Sequence, residues 1–230
     1  GESPQGSDVL SGAVHWRDVH VVTRRSAEEL ANLDVRPGTR VVLNRLWRRP
    51  LYFQDCVAAH FLDDRAPLLA VLGVAREIAR RRDELHGDLY LVLTTMEEES
   101  NAGALFAARR LPGDISIAVE VGPTVAEYGT RLCRDPIVNS GDSKGYYSRH
   151  VTDRLLRAAE RCQYQPQAAL LVDFASDASA LLSHGEAAQV GCIGIPTENT
   201  HGFEIVLEEG IEACRRTLVE FLVQPPDDEA

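Results

Sequence analysis

Leu89-Tyr90-Leu91-Val92-Leu93-Thr94-Thr95-Met96-Glu97-Glu98-Glu99 is the stretch from which the fold can be read. Leu89 to Thr94 is a mostly apolar run of strand length, and three acids follow it directly. A helical pattern from Pro67 to Leu85 precedes it, with Leu68, Leu69, Leu72 and Ile78 apolar against an Arg-rich face, ending near His86-Gly87. Gly103 to Leu111 reads as the next helix, and Ile115 to Val121 as a second buried strand. Beyond these come a helix over Ser148 to Cys162, a strand over Ala168 to Val172, a helix over Ser176 to Ser183, a strand over Val190 to Ile195 and a helix over Ile205 to Val223. Apolar strands alternating with helices predict an α/β fold with a largely parallel sheet flanked by helices.

Upstream of Cys56 the style differs. Val19 to Thr23, Arg40 to Leu46 and Leu51 to Phe53 are short β-like runs separated by turn formers such as Pro37-Gly38, with no long helix among them. Residues 1–55 are therefore expected to be part of a small β module, and residues 56–230 the α/β domain.

The 230 residues, 44% hydrophobic and 26% charged, suffice for one full core. A net charge of −11 argues against a nucleic-acid footprint or an anionic-membrane surface, either of which needs a basic face. Cys56, Cys133, Cys162, Cys192 and Cys214 are odd in number and widely spaced, which fits a reducing cytoplasm better than a disulfide framework. No apolar run approaches the roughly 20 residues that span a bilayer, and Gly1 to Ser7 lacks signal-peptide features, so a soluble cytoplasmic protein is expected.

Acids cluster where apolar segments end, and in open α/β sheets ligands collect at the carboxyl ends of strands. Glu97 and Glu98 follow one strand, and adjacent carboxylates there can divide the work of holding a cation and accepting a proton. Asp63-Asp64-Arg65 opens a helix, where acids favour the helix dipole, but one carboxylate can also bridge two cations and Arg65 could orient the second acid. Glu120, in Ala118-Val119-Glu120-Val121-Gly122, is an acid in a buried strand and needs a partner or a cation to offset desolvation. His201 follows a third strand end, with Glu204 placed to orient a ring nitrogen.

Asp-Asp-Arg opening a helix, Thr94-x-x-Glu97-Glu98 followed by Gly103-Ala104, the Ala-Val-acid-Val-Gly strand, Ser176-Asp177-Ala178 and Pro196-(x)4-His201-(x)2-Glu204 occur in one order. Over roughly Asp63 to the C-terminus this resembles the cocatalytic metallo-aminopeptidases of the glutamyl aminopeptidase and endoglucanase-like family, which includes the tetrahedral aminopeptidases. The resemblance implies that Asp63 bridges two divalent metal ions, zinc above cobalt or manganese. Glu98 and His201 complete one ion's ligands and Glu120 serves the other. It implies Glu97 as the general base, a cis peptide between Asp63 and Asp64, a supporting place for Asp177, and a homo-oligomer acting on peptides.

The resemblance departs at two points. The family usually carries Asp where this chain has Glu120, and it draws a further histidine from an upstream His-x-Asp motif, so the N-terminal portion is expected to be absent. His86-Gly87-Asp88 reads as a loop, not as that motif. The expected function is hydrolysis of N-terminal residues of peptides by a water the cations activate. The alternatives are a catalytically degraded binding or assembly subunit, and an N-acyl amino acid amidohydrolase.

Overall fold

The structure is a computed structural model that describes residues 15 and 19–225. The chain divides into two compact units, Gly1–Leu43 and Asn44–Ala230. In the first, helix α1 (Ala27–Asn32) starts on a reciprocal cap: Ser26 Oγ accepts from Glu29 N at 3.2 Å, and Glu29 Oε2 accepts from Ser26 N at 2.7 Å. The β-like runs Val19 to Thr23 and Arg40 to Leu46 form no strands. Their valines stay exposed, and a strand without a paired neighbour and a covered face has little to hold it.

The second unit is built on one eight-stranded sheet: β1 (Leu51–Phe53), β2 (Cys56–His60), β3 (Ile115–Pro123), β4 (Ile137–Asp142), β5 (Gly145–Tyr146), β6 (Gln167–Leu171), β7 (Gln189–Glu198) and β8 (Phe203–Leu207). The order is β1-β2-β8-β7-β4-β5, with β3 also on β7 and β6 also on β4. Six helices accompany it: α2 (Leu62–Ile78), α3 (Glu97–Ser100), α4 (Ala102–Ala108), α5 (Arg149–Arg161), α6 (Asp177–Ser183) and α7 (Glu208–Val223).

The class is α/β, as expected, but the sheet is mixed rather than largely parallel. Only β3–β7 and β4–β6 run parallel, while β1–β2, β2–β8, β7–β8, β4–β7 and β4–β5 are antiparallel. Connection length accounts for three of the antiparallel pairs. The turns between β1 and β2, β4 and β5, and β7 and β8 are too short for a crossover, whereas β4 reaches β6 through α5.

The run Leu89 to Thr94 is the second correction, because it joins no ladder and Tyr90, Leu91, Val92 and Leu93 are exposed. Apolar composition alone does not make a strand; a paired neighbour does. The face of α2 is the third. Leu62, Ala66, Ala70, Val74 and Ile78, spaced every four residues, are buried, while Leu68, Leu69 and Leu72 face outward. Small alanines at 66 and 70 let the helix lie close to its neighbours, and they carry less weight in a hydropathy reading than the leucines. A fourth difference is that Phe203–Leu207 is strand β8 before α7 begins, where one helix was expected.

The main core lies between the sheet and α2, α5 and α7, with Val74, Val151, Leu155, Ile193, Ile195, Val206 and Leu218 at its centre. Each such side chain contributes about 1.5–3 kcal/mol on burial. The central strand β7 is buried from Val190 to Thr197, and its parallel pairing with β3 sets Glu120 opposite Gly194. No described helix is long and apolar enough to cross a membrane.

Candidate metal centre

The centre begins at the junction of β2 with α2. Phe61 takes positive φ (62°), the Asp63–Asp64 peptide is cis, and the backbone at both acids is non-helical before α2 continues. Across the sheet Glu204 on β8 pairs with Ala59 on β2 and is buried to 1% exposure. Its Oε2 accepts from Leu62 N at 2.5 Å and Asp63 N at 3.1 Å, and its Oε1 accepts from His201 N at 3.1 Å. Glu204 was expected to orient the His201 ring; instead it ties the backbone of the two loops that carry Asp63 and His201. Arg65 likewise serves the backbone rather than Asp64, with Nε donating to Phe61 O at 2.7 Å and its terminal nitrogen to His60 O.

Asp63, Glu98 and His201 converge: His201 Nε2 lies 3.5 Å from Asp63 Oδ2 and 3.3 Å from Glu98 Oε2. Glu98 comes from α3, whose entry residue Met96 also has positive φ (61°). The next helix folds back so tightly that a Cβ at Gly103 would sit 2.3 Å from Thr95 O, so only glycine fits in the first turn of α4 against the acidic segment. His201, at φ 65°, sits in the β7–β8 loop. That loop is pinned by His60, whose Nδ1 is 2.8 Å from Gly202 O and whose ring meets Phe203 edge-on.

A second group shares Asp63. Asp63, Asp64 and Glu120 each offer an oxygen within 4.8 Å of the others. Glu120 is 4% exposed, and Asp64 Oδ1 is buried without a hydrogen-bond partner. Burial first, then the charges of Glu98 and Glu204, pushes the Asp63 carboxyl up to about 6; burial and the Asp63 charge push Asp64 up to about 8, and burial with the charges of Asp64 and Glu97 holds Glu120 well above the usual carboxylate range. One buried and two half-buried acids with an orphaned oxygen are costly as they stand, and a divalent cation between them offsets both desolvation and repulsion. The donors, oxygens with one imidazole across the two groups, suit zinc, cobalt or manganese. Asp64 was not among the expected ligands; its signal was the adjacency to Asp63.

Glu97 lies beside both groups. Burial, then the charges of Asp177, Glu98 and Asp63, pushes its carboxyl up to about 7, opposed by the Lys144 ammonium. Such a carboxylate is poised to take and return a proton near neutrality. Asp177, at the start of α6, accepts from Thr94 Oγ1 at 2.6 Å and so fastens the end of the 89–94 run to the sheet's helices.

The family model of M42 glutamyl aminopeptidase matches residues 11–217. The chain belongs to that family. As an M42 member it is also similar to SgcX of Escherichia coli (strain K12), 30% identical over 110 residues that make up 47% of this chain and 27% of SgcX. Among solved structures it is similar to aminopeptidase APDkam598 from the archaeon Desulfurococcus kamchatkensis, with 22% identity, TM-score 0.78, and coverage of 87% of this chain and 57% of that one. The TET aminopeptidase from the marine sediment archaeon Thaumarchaeota archaeon SCGC AB-539-E09 gives 18% identity, TM-score 0.71, and coverage of 76% and 51%. The Pyrococcus horikoshii TET1 peptidase, which can assemble into a tetrahedron or a large octahedral shell, gives 20%, 0.66, 73% and 50%. At these identities the solved structures establish the fold, and the chain spans about half their length.

Proposed function

We propose that this chain carries the hydrolytic part of a metal-dependent aminopeptidase, with Asp63 shared between two cation positions. The observation that carries the reading is the convergence on Asp63 of two ligand groups, one with Glu98 and His201 and one with Glu120 and Asp64, beside Glu97. Membership of the M42 family supports it. Divalent cations, when bound, would supply Lewis acidity, polarising the peptide carbonyl and making water acidic enough to be deprotonated at neutral pH.

The chain's own residues do the rest. Asp63, Glu98 and His201 hold one position, and Asp63, Asp64 and Glu120 the other. Glu97 takes a proton from the attacking water and delivers it to the leaving amine. Glu204 keeps the Asp63 and His201 loops in register through three backbone amides. The substrate is a peptide with a free N-terminus, zinc is the preferred metal, and the protein works as a homo-oligomer in the cytoplasm. The assembly of the TET1 relative into closed shells supports the oligomer.

A second reading, a binding or assembly subunit without turnover, draws on one observation: among the described residues, the Asp63–Asp64–Glu120 group contains no imidazole. One experiment separates the two. Bound zinc, cobalt and manganese are measured per chain, and aminoacyl chromogenic substrates are assayed with added metal. Two ions and turnover that Glu97→Gln removes support the aminopeptidase. No uptake and no turnover reject it, and turnover of N-acyl amino acids alone redirects the substrate assignment.

A further inference from the structure

Lys144 is the only lysine in the chain; every other one of the 24 Lys and Arg residues is arginine. It sits in the β4–β5 turn, and its Nζ donates to Asn101 Oδ1 at 2.6 Å. Asn101, 5% exposed, joins α3 to α4 with positive φ (53°), a conformation asparagine tolerates better than most residues. Its Nδ2 donates to Asp177 Oδ1 at 3.1 Å and to Glu97 Oε1 at 3.3 Å. An ammonium has no acceptor and a carboxylate no donor, so these three bonds permit only one orientation of the amide. Its oxygen must face Lys144, and its two N–H groups must face Asp177 and Glu97.

The supports on either side of Asn101 are themselves locked together. Lys144 N donates to Asp142 Oδ1 at 2.9 Å, and Tyr147 OH donates to Asp142 Oδ2 at 2.7 Å. The phenol has one proton, spent on Asp142, so Ser176 Oγ donates to the Tyr147 oxygen at 2.6 Å while accepting from Ser179 N at 3.2 Å. Ser176 caps α6, whose first residue is Asp177. One hydrogen-bond chain therefore links the turn that aims Lys144 to the helix that aims Asp177. The main chain of Ser143 adds a further tie, its N donating to Phe174 O at 3.0 Å.

We propose that Lys144 and Asn101 are positioning residues for Glu97: the lysine fixes the Asn101 amide, and the amide fixes the carboxylate in the orientation that proton transfer requires. The proposal rests on the aminopeptidase reading for its catalytic consequence, but not for its geometry. Misplacing a reacting group by about 1 Å costs on the order of 100-fold, so an unclamped Glu97 lowers turnover while leaving cation ligands and substrate contacts in place.

The test compares wild type, Lys144→Met, Lys144→Arg and Asn101→Ala with added zinc, cobalt or manganese on an aminoacyl chromogenic substrate. Crystal structures and bound-metal counts are obtained for each. The proposal expects kcat to fall about 10- to 100-fold in Lys144→Met with KM and metal count unchanged, partial recovery in Lys144→Arg, and a rotated Glu97 carboxylate in the Lys144→Met crystal. Lys144 lies in an exposed turn, so this variant keeps the test open if Asn101→Ala fails to fold. An unchanged kcat, a change confined to KM, or a Glu97 carboxylate that stays in place overturns it. If the wild type takes up metal but turns over no substrate, the aminopeptidase reading fails and the Glu97 position in the crystals alone decides this proposal.

Discussion

The two acid groups that share Asp63 differ in burial and in chemistry. The Asp63–Glu98–His201 group lies open, with the His201 side chain 74% and the Glu98 side chain 55% exposed. The Asp63–Asp64–Glu120 group lies inside, with Glu120 nearly inaccessible on β3 and an oxygen of Asp64 without a partner. Water and an imidazole relieve the first group; only protons or a cation relieve the second. Sharing only Asp63, the two groups thus make one position that folding tolerates empty and another that folding tolerates only when neutralised.

The largest effect belongs to the residue that serves both groups. Glu97→Gln keeps the shape and removes the base, and turnover is expected to fall by about 10²- to 10⁴-fold with both metals retained; steady-state kinetics with metal analysis checks it. Loss of one metal in that variant would make Glu97 a ligand and break the division of roles.

Glu204→Ala comes next, because it removes the common brace. Each backbone amide left buried without a partner costs about 1–3 kcal/mol, and Leu62, Asp63 and His201 all lose one. Denaturant unfolding should register the loss in metal-free and metal-loaded protein alike.

The contrast between the groups is sharpened by Glu120→Gln against His201→Ala in metal-free protein. The first relieves buried repulsion and should raise the melting temperature, by roughly 2–4 °C per kcal/mol recovered. The second removes an exposed ring and should change stability by no more than about 0.5 kcal/mol. Equal shifts in thermal melts would erase the distinction.

The subtlest effect is in pH. Asp63 and Asp64 have their carboxyls raised from 3.8 to about 6 and about 8 in the folded chain. The folded, metal-free protein therefore holds protons that the unfolded chain releases, and stability declines as pH rises from about 4 through 6 and 8. Cations that replace those protons should flatten the decline, and a pH series of melts with and without zinc measures the difference.

Much of this was legible in the residues themselves. The order of Asp63, Glu97, Glu98, Glu120 and His201 at the edges of apolar segments is a property of the chain, as is the helix start at Ser176. Ile115 to Val121 reads as a strand and is one, because β7 pairs with it along its length. Leu89 to Thr94 reads as a strand equally well and is not one, because pairing depends on a neighbouring edge that periodicity cannot report.

What the sequence alone determined is local: residue types, helix starts and the apolar character of β3 and β7. What only the tertiary structure decided is convergence. Glu204 reaches 142 residues back to the Leu62 amide, Asp64 turns beneath Asp63 toward Glu120, and the sole lysine meets Asn101 across 43 residues. Electrostatics and hydrogen bonding act over a few ångströms in space, and distance along the chain does not encode which groups will be brought that close.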